Sequence, residues 1–537
     1  MKRVTALLLL LLLAATVLCG CKDGKDPNGN GENSGETPSS GNVTQAGGDE
    51  TSTTPKYGGT VTVGITQDID SLDPHKVTSA GTREVLYNVY EGLVKPDVDG
   101  NMVPAVASEY KISADSLTYT FTLREGVKFS DGTLVTAGDV IYSLKRCAGR
   151  LDNPDPEVVV QAAFSIIQEI SSREEDGKTI IELKLSEPNT ELICYLTTAI
   201  VPEGYTTDNG AAPGVAPFKF VSYSPLQEYV IQKNEHYYNP ELPYLDGVTF
   251  KIMTDSDAAF LELLGGAIDV FPYLTADQAA QLTDAYRVEV SGMALVQALF
   301  VNAAVEPFNK LEVRQALNYA IDRQFIIDMV AGGDGTVSCS GIYPGFAKYY
   351  DKSLETYYTC DTAKAKELLA AAGYPNGFDF TITVPSNYKF HVDTAQVIAE
   401  QLKAVGINAK VEMVEWATWY SEVYKGEKYQ GTIIGLDSNL APSDILRFYP
   451  STSSKNFMNY SSAEFDEVYA KAGMEADDAK KVAYYKELQR MLTEDAAAVF
   501  VQNPALTVAV STKLRLLRPH GLQPTRLLCP WRFSRQE

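Results

Sequence analysis

Histidine is scarce in this chain. Only His75, His236, His391 and His520 occur in 537 residues, beside three tryptophans and seven cysteines. No CxxC or HxxxH spacing occurs, so the usual sequence signs of a zinc site are missing. The chain also lacks the GxSxG elbow, the GxxxxGK(S/T) phosphate loop and the HExxH helix. Hydrolase, nucleotidase and metalloprotease readings therefore have no motif to rest on. No acid/base pair stands out among 69 acidic side chains. No catalytic residue, metal site or cofactor is expected.

Positive charge is the next deficit, with 46 Lys and Arg against 69 Asp and Glu and a net charge of −23. A surface of that sign repels nucleic-acid phosphates and suits no basic membrane-surface helix. Long hydrophobic runs are missing too. The one extended run, Val4 to Leu18, falls short of the ~20 residues that span a bilayer. Lys2 and Arg3 precede it, giving the n-region and h-region of a secretory signal. Leu18-Cys19-Gly20-Cys21 then has the form of a bacterial lipobox, with Cys21 as the lipidated residue. A soluble signal-peptidase site and a spanning anchor are the alternatives.

What is present is ordinary globular composition, 45% hydrophobic and 21% charged, in a chain long enough for two or three domains. Residues 22–56 are the exception. They are Gly, Ser, Thr, Asn, Pro and charged residues, and are expected to form a flexible linker. In the body, Cys147, Cys194, Cys339 and Cys360 allow disulfides after export, with Cys147–Cys194 and Cys339–Cys360 local in sequence. Buried free thiols are the other reading. Asp68, Asp70 and Asp73 lack the spacing, glycine and closing Glu of a calcium loop.

The most informative stretch is 116–145. Leu117, Tyr119, Phe121 and Leu123 alternate with polar residues, the period of a half-buried strand. Val127-Lys128-Phe129 predicts a second short strand, and Ser130-Asp131-Gly132-Thr133 a turn. Thr136-Ala137-Gly138-Asp139 has the form of a capping box before a helix that buries Val140, Ile141 and Leu144. The run from Thr118 to Thr133, followed by Thr136-Ala-Gly-Asp-Val, resembles the signature block of the family 5 extracellular solute-binding proteins. These are the peptide, oligopeptide and nickel receptors of ABC importers.

Other segments carry the same resemblance. They include Asp70-Ser-Leu-Asp-Pro-His75, Leu86 to Val94, Gly266-Ala-Ile-Asp-Val270 and the helix Val313-Arg-Gln-Ala-Leu-Asn-Tyr-Ala-Ile-Asp-Arg323. Pro213-Gly-Val-Ala-Pro-Phe218 departs from the family's G-T-G-P-(Y/F) but keeps Gly214, Pro217 and Phe218. The resemblance, covering about 57–511, implies an α/β, bilobal, three-domain fold of the periplasmic-binding type, with a hinge and a central ligand cleft. Residues 57–103, 202–300 and 498–511 would build lobe I, 104–201 an insertion domain and 301–497 lobe II. It also implies a monomeric, non-enzymatic receptor on the outer face of the cytoplasmic membrane. Such a receptor would capture an oligopeptide, or else an oligosaccharide or nickel complex, and pass it to ABC permease subunits. A surface hydrolase and a structural adhesin are readings from other classes.

Site candidates follow from the same likeness. Enclosed peptide sites combine aromatic walls with an acid for the ligand ammonium. Glu415-Trp416 resembles a cleft position of the peptide receptors, and Trp419 is expected on the same helix face; both rings in the core is the alternative. The peptide receptors place their acid in a G-W-x-x-D pattern before a proline. In Gly431-Thr-Ile-Ile-Gly-Leu-Asp-Ser-Asn-Leu-Ala-Pro442 the Trp is replaced by Gly435, and Asp437 comes one residue early. Asp437 and Asn439 are candidates to meet a ligand, or else they form an Asx-turn. Gln502 and Asn503, after a strand 498–501, are expected where the chain returns to the cleft. Ser71 and His75 complete the candidate set. From Thr512 the composition turns basic, so 512–537 reads as a non-native gene end or a basic binding tail.

Overall fold

The computed structural model describes residues 56–97, 101–386, 388–438, 441–516 and 533–535. The expected signal, Cys21 and nearly all of the linker lie outside these residues, as do Asn439 and most of the basic tail.

Strand Thr60–Ile65 buries Val61 and Val63 and pairs in parallel with Gly247–Ile252. It belongs to a twelve-stranded mixed sheet. From one edge, the order is Asn408–Val414, Asp379–Pro385, Gly431–Asp437, Leu295–Val301, Val499–Ser511, Val270–Phe271, Thr60–Ile65, Gly247–Ile252, Glu228–Lys233 and Phe218–Ser224. Tyr286–Gly292 and Gly335–Val337 also pair with Val499–Ser511.

That last strand, thirteen residues long, holds the two halves of the sheet together. Val499 and Val501 enter the core around Ile382 and Ile398, and Phe500 the core around Tyr449 and Leu488. Leu506, Val508 and Val510 enter the core around Val61 and Phe250. A second crossing runs beside it, where Tyr286–Gly292 leads through Met293 and Ala294 into Leu295–Val301. Regular pairing lapses between the pairs Gly292↔Ala505 and Gln297↔Gln502. Pro504, inside this gap, has no N–H to offer a ladder. Its carbonyl accepts from Met293 N at 2.7 Å. The Asn503 amide donates to Met293 O (2.5 Å) and Leu295 O (2.7 Å). The strand expected to stop at Val501 therefore continues, because a side-chain amide carries it past the proline.

A separate four-stranded antiparallel sheet runs Ala107–Ile112, Thr118–Leu123, Lys178–Leu185, Ile167–Glu175. Tyr119 and Phe121 are buried from the central pair, with Val140 and Leu144 of helix Ala137–Cys147 in the same core. The capping box forms: Thr136 accepts from Asp139 N, and the Asp139 carboxylate accepts from Thr136 N at 2.7 Å. The second short strand does not form. Val127 and Phe129 are buried, but the chain makes only an isolated Lys128↔Leu134 bridge. The turn closes at once, and Ser130 N is taken by Gly214 O at 2.8 Å. Gly214 fits because a Cβ there would lie 1.8 Å from Val89 O.

The other half follows an α/β plan. Asp379–Pro385 and Asn408–Val414 run parallel across helix Lys389–Leu402, and Gly406 (φ +84°) turns the chain back. That helix begins at Lys389, four residues before Asp393. Asp393 is not its cap; it pairs with Lys389 one turn earlier, at 2.6 Å. The four body cysteines are free thiols, Cys147 and Cys339 buried, Cys194 half-buried and Cys360 exposed.

Candidate functional site

The sequence Trp416-Ala-Thr-Trp-Tyr-Ser-Glu-Val-Tyr424 forms one helical turn, Trp416–Thr418, that widens into a π-helix, Trp419–Lys425. Wide turns of this kind are rare and concentrate at functional sites. Here the widened turn aligns four rings. Trp416 stacks on Trp419 (centroids 5.2 Å apart, 17° between planes), and Tyr420 on Tyr424 (5.5 Å, 19°). Trp416 lies 6.3 Å from Tyr420, and Trp419 6.1 Å from Tyr424. Tyr388 meets Trp416 edge-on at 5.5 Å. The two tryptophans share a face, as expected, but differ in setting. Trp419 is 3% exposed and its indole donates to Thr432 Oγ1 at 2.9 Å, so it is core. Trp416 and Tyr420, 40% and 43% exposed, present the outer surface of the stack.

Carboxylates from both halves of the molecule converge near this stack. Asp437 ends strand Gly431–Asp437, and its charge acts on Tyr424, Asp444, Lys455 and Glu84. Glu84 comes from helix Ala80–Leu86, beside the N-terminal strand. Desolvation, opposed by Arg83 and reinforced by Asp437, pushes its carboxyl up to about 8. Among the described residues neither side chain has a hydrogen bond or ion pair. Tyr273 follows strand Val270–Phe271 with a left-handed backbone (φ +66°), an outlier for so bulky a residue. Its hydroxyl is held well above the usual range by Glu84 first, then by desolvation and by Tyr388. Glu84 and Tyr273, from one half, thus lie within electrostatic reach of Asp437 and Tyr388, from the other. Tyr273 is nevertheless 43% exposed. Charged and aromatic groups of both halves with solvent-exposed surface among them make this the candidate ligand site.

Basic groups close one end. Arg447 pairs with Asp444 at 2.6 Å, and its guanidinium lies 4.4 Å from the centroid of the Phe448 ring. Desolvation and the neighbouring Arg447 hold Lys455 below its ordinary value. Burial pushes the Asp444 carboxyl up, against the pull of Arg447. The site offers rings, acids and bases, which suits a small zwitterionic molecule better than an apolar one.

The remaining sequence candidates lie in other settings. Ser71 and His75 belong to a knot between the first loop and the small-sheet helix. The Ser71 hydroxyl donates to Asp73 O and accepts from Asp73 N. Arg146 holds Asp73 through two bonds (2.9 and 2.6 Å) and donates to His75 Nδ1 at 3.0 Å. His75 Nε2 lies 2.8 Å from Ala199 O. Burial keeps the ring at about 4, hence neutral near pH 7, with the proton on Nε2. Both residues are thus engaged by protein partners. Gln502 is fully buried and donates to Gln297 Oε1 at 2.9 Å, next to Thr394 and His391. Asn503 serves the strand crossing. The structure brings together Trp416 and Asp437, and adds Glu84, Tyr273, Tyr388, Tyr420 and Tyr424, which sequence reasoning missed. The W-x-x-W-Y-x-x-x-Y spacing was visible; the opposing Glu84 and Tyr273 had no local signal.

Among the described residues no group of three or more His, Cys, Asp or Glu side chains is placed to hold a metal ion. No described helix is long and apolar enough to cross a membrane.

Residues 101–459 match the bacterial extracellular solute-binding proteins, family 5 (middle region), and the chain belongs to that family. It is an extracytoplasmic substrate-binding protein of the ABC-importer type. The chain is similar to the glutathione-binding protein GsiB of Salmonella typhimurium, 29% identical over 459 residues that cover 81% of this chain and 87% of that one. Among solved structures it resembles AgaA of A. tumefacien R10 in complex with agropinic acid, with 27% identity and a TM-score of 0.75 over 89% of this chain and 99% of that one. It also resembles DppA of Helicobacter pylori in complex with the peptide STSA, with 25% identity and a TM-score of 0.77 over 90% and 99%. The α/β periplasmic-binding fold is therefore shared.

Proposed function

We propose that this protein captures a short peptide bearing a free ammonium group, by closure of the two halves, and delivers it to an ABC permease. The supporting observation is that the charge of Asp437 reaches the desolvated Glu84 carboxyl of the other half near the Trp416–Tyr420 stack, while among the described residues neither carboxylate has a hydrogen-bond or ion-pair partner. An ammonium placed there neutralises both acids, the rings pack its side chains, and Arg447 or Lys455 receives its carboxylate. Closure follows if the ligand contacts more of the protein in the closed state than in the open one. The glutathione and peptide named for the similar proteins support this ligand class. The agropinic acid of AgaA keeps a sugar-like acid as the second reading, since exposed stacked rings also suit a polyol ring. Lipid on Cys21 would tether the receptor to the outer face of the membrane, with residues 22–56 as spacer.

Thermal unfolding of the secreted protein against glutathione, tripeptides, oligosaccharides and nickel–histidine tests the reading. A ligand at 100 times its Kd adds ~2.7 kcal/mol, a shift of a few degrees. The expected result is stabilisation by free-amino peptides, lost on N-acetylation and in Asp437→Asn. Stabilisation by the sugars alone, or equal response to acetylated peptides, overturns it.

A further inference from the structure

We infer that Glu191 is a closure latch: a buried acid on the small-sheet body that docks onto the opposite half and sets ligand affinity without touching ligand. Its side chain is 7% exposed, so its charge must be matched inside the protein. The partners all come from the far half. Oε1 accepts from Tyr485 OH at 2.6 Å and lies 2.9 Å from Lys481 Nζ, both on helix Asp478–Glu494. Oε2 accepts from Ser443 Oγ on helix Pro442–Leu446. Next to it, Thr190 Oγ1 accepts from Lys481 and donates to Glu475 O. Lys481 is as buried as Glu191, so each charge depends on the other.

Two features make this a latch and not ordinary packing. The small sheet and the helices 442–494 lie more than 250 residues apart in the chain, so the Glu191 cluster is a tertiary contact that parting of the halves would break. Ser443 and Asp444 also lie on the short helix that follows Asp437, the acid of the candidate site. A ligand that moved this segment would act directly on the latch, because Ser443 is bonded to Glu191. When the halves part, Glu191 and Lys481 regain water, so the contact favours closure by less than its gross Coulomb energy. Removing one partner leaves the other buried and unmatched in the closed state, which shifts the population toward open.

The test uses the secreted protein, Glu191→Gln, Lys481→Met and the double variant. Without ligand, hydrogen exchange is followed in 189–195 and 442–446, and the radius of gyration by X-ray scattering. Each single variant should speed exchange about tenfold in both segments together and enlarge the particle, leaving strands 118–123 and 178–185 unchanged. The double variant should go little further. Unchanged scattering, or faster exchange in the small sheet itself, overturns the latch, because it would show a static or merely structural role. In a second arm, glutathione and trialanine are titrated, and any probe that binds should weaken by one common factor of about tenfold in Glu191→Gln. An unequal loss between probes overturns the inference by indicating ligand contact. Failure of both probes to bind wild type counts against the peptide reading, while the ligand-free arm still decides the latch.

Discussion

Trp416 and Trp419 stand three positions apart and stack on one another, yet they do opposite work. Trp419 fills the core and is tied to Thr432, so Trp419→Ala removes a large buried ring and should cost about 3–5 kcal/mol in urea unfolding. Trp416→Ala removes a ring that is already 40% exposed and should cost less, about 1 kcal/mol, while weakening ligand about tenfold or more in calorimetry. Equal effects of the two substitutions on stability would place both rings in the core. At this scale the sequence was half legible. The i, i+3 spacing put the rings on one face, but which ring faces water depends on Tyr388, before the helix, and on Thr432, in the strand after it.

The decisive elements are the two crossings between the halves. Asn503 stands where a proline interrupts the ladder, and its amide replaces the missing backbone donor by binding two carbonyls. Asn503→Ala leaves those part-buried carbonyls short of a donor, at about 1 kcal/mol. The melting temperature should fall, with faster hydrogen exchange around 293–295. If affinity instead falls with no change in melting, Asn503 belongs to the ligand site. The sequence marked this position as a return to the cleft from resemblance alone. Local pattern could not show that the strand runs on for thirteen residues, because a proline ordinarily argues for a stop.

For the molecule as a whole, Glu84 links stability, pH and binding. With its carboxyl raised to about 8 in the fold and near 4.5 when unfolded, only the folded state holds this proton between those values. Stability should therefore fall as pH rises from 4.5 to about 8 and level off above, since the folded form binds more protons across that window. Glu84→Gln should flatten the slope seen in thermal melts. A cationic ligand favours the ionised acid, so binding near pH 7 should release up to one proton, measurable by calorimetry in buffers of different ionisation enthalpy. Proton release that survives in Glu84→Gln would assign it to another group.

Sequence alone determined the alternating strands, the capped helices, the family block from Thr118 to Thr133 and the absence of catalytic motifs. These rest on local period and on side chains that act on their own backbone within a few residues. Tertiary structure decided the rest. Glu84 meets the field of Asp437, and Glu191 meets Ser443, Lys481 and Tyr485, across separations of more than 250 residues. Such pairs carry no periodicity. They arise because the two crossings, Val499–Ser511 and Tyr286–Val301, join the halves into one sheet.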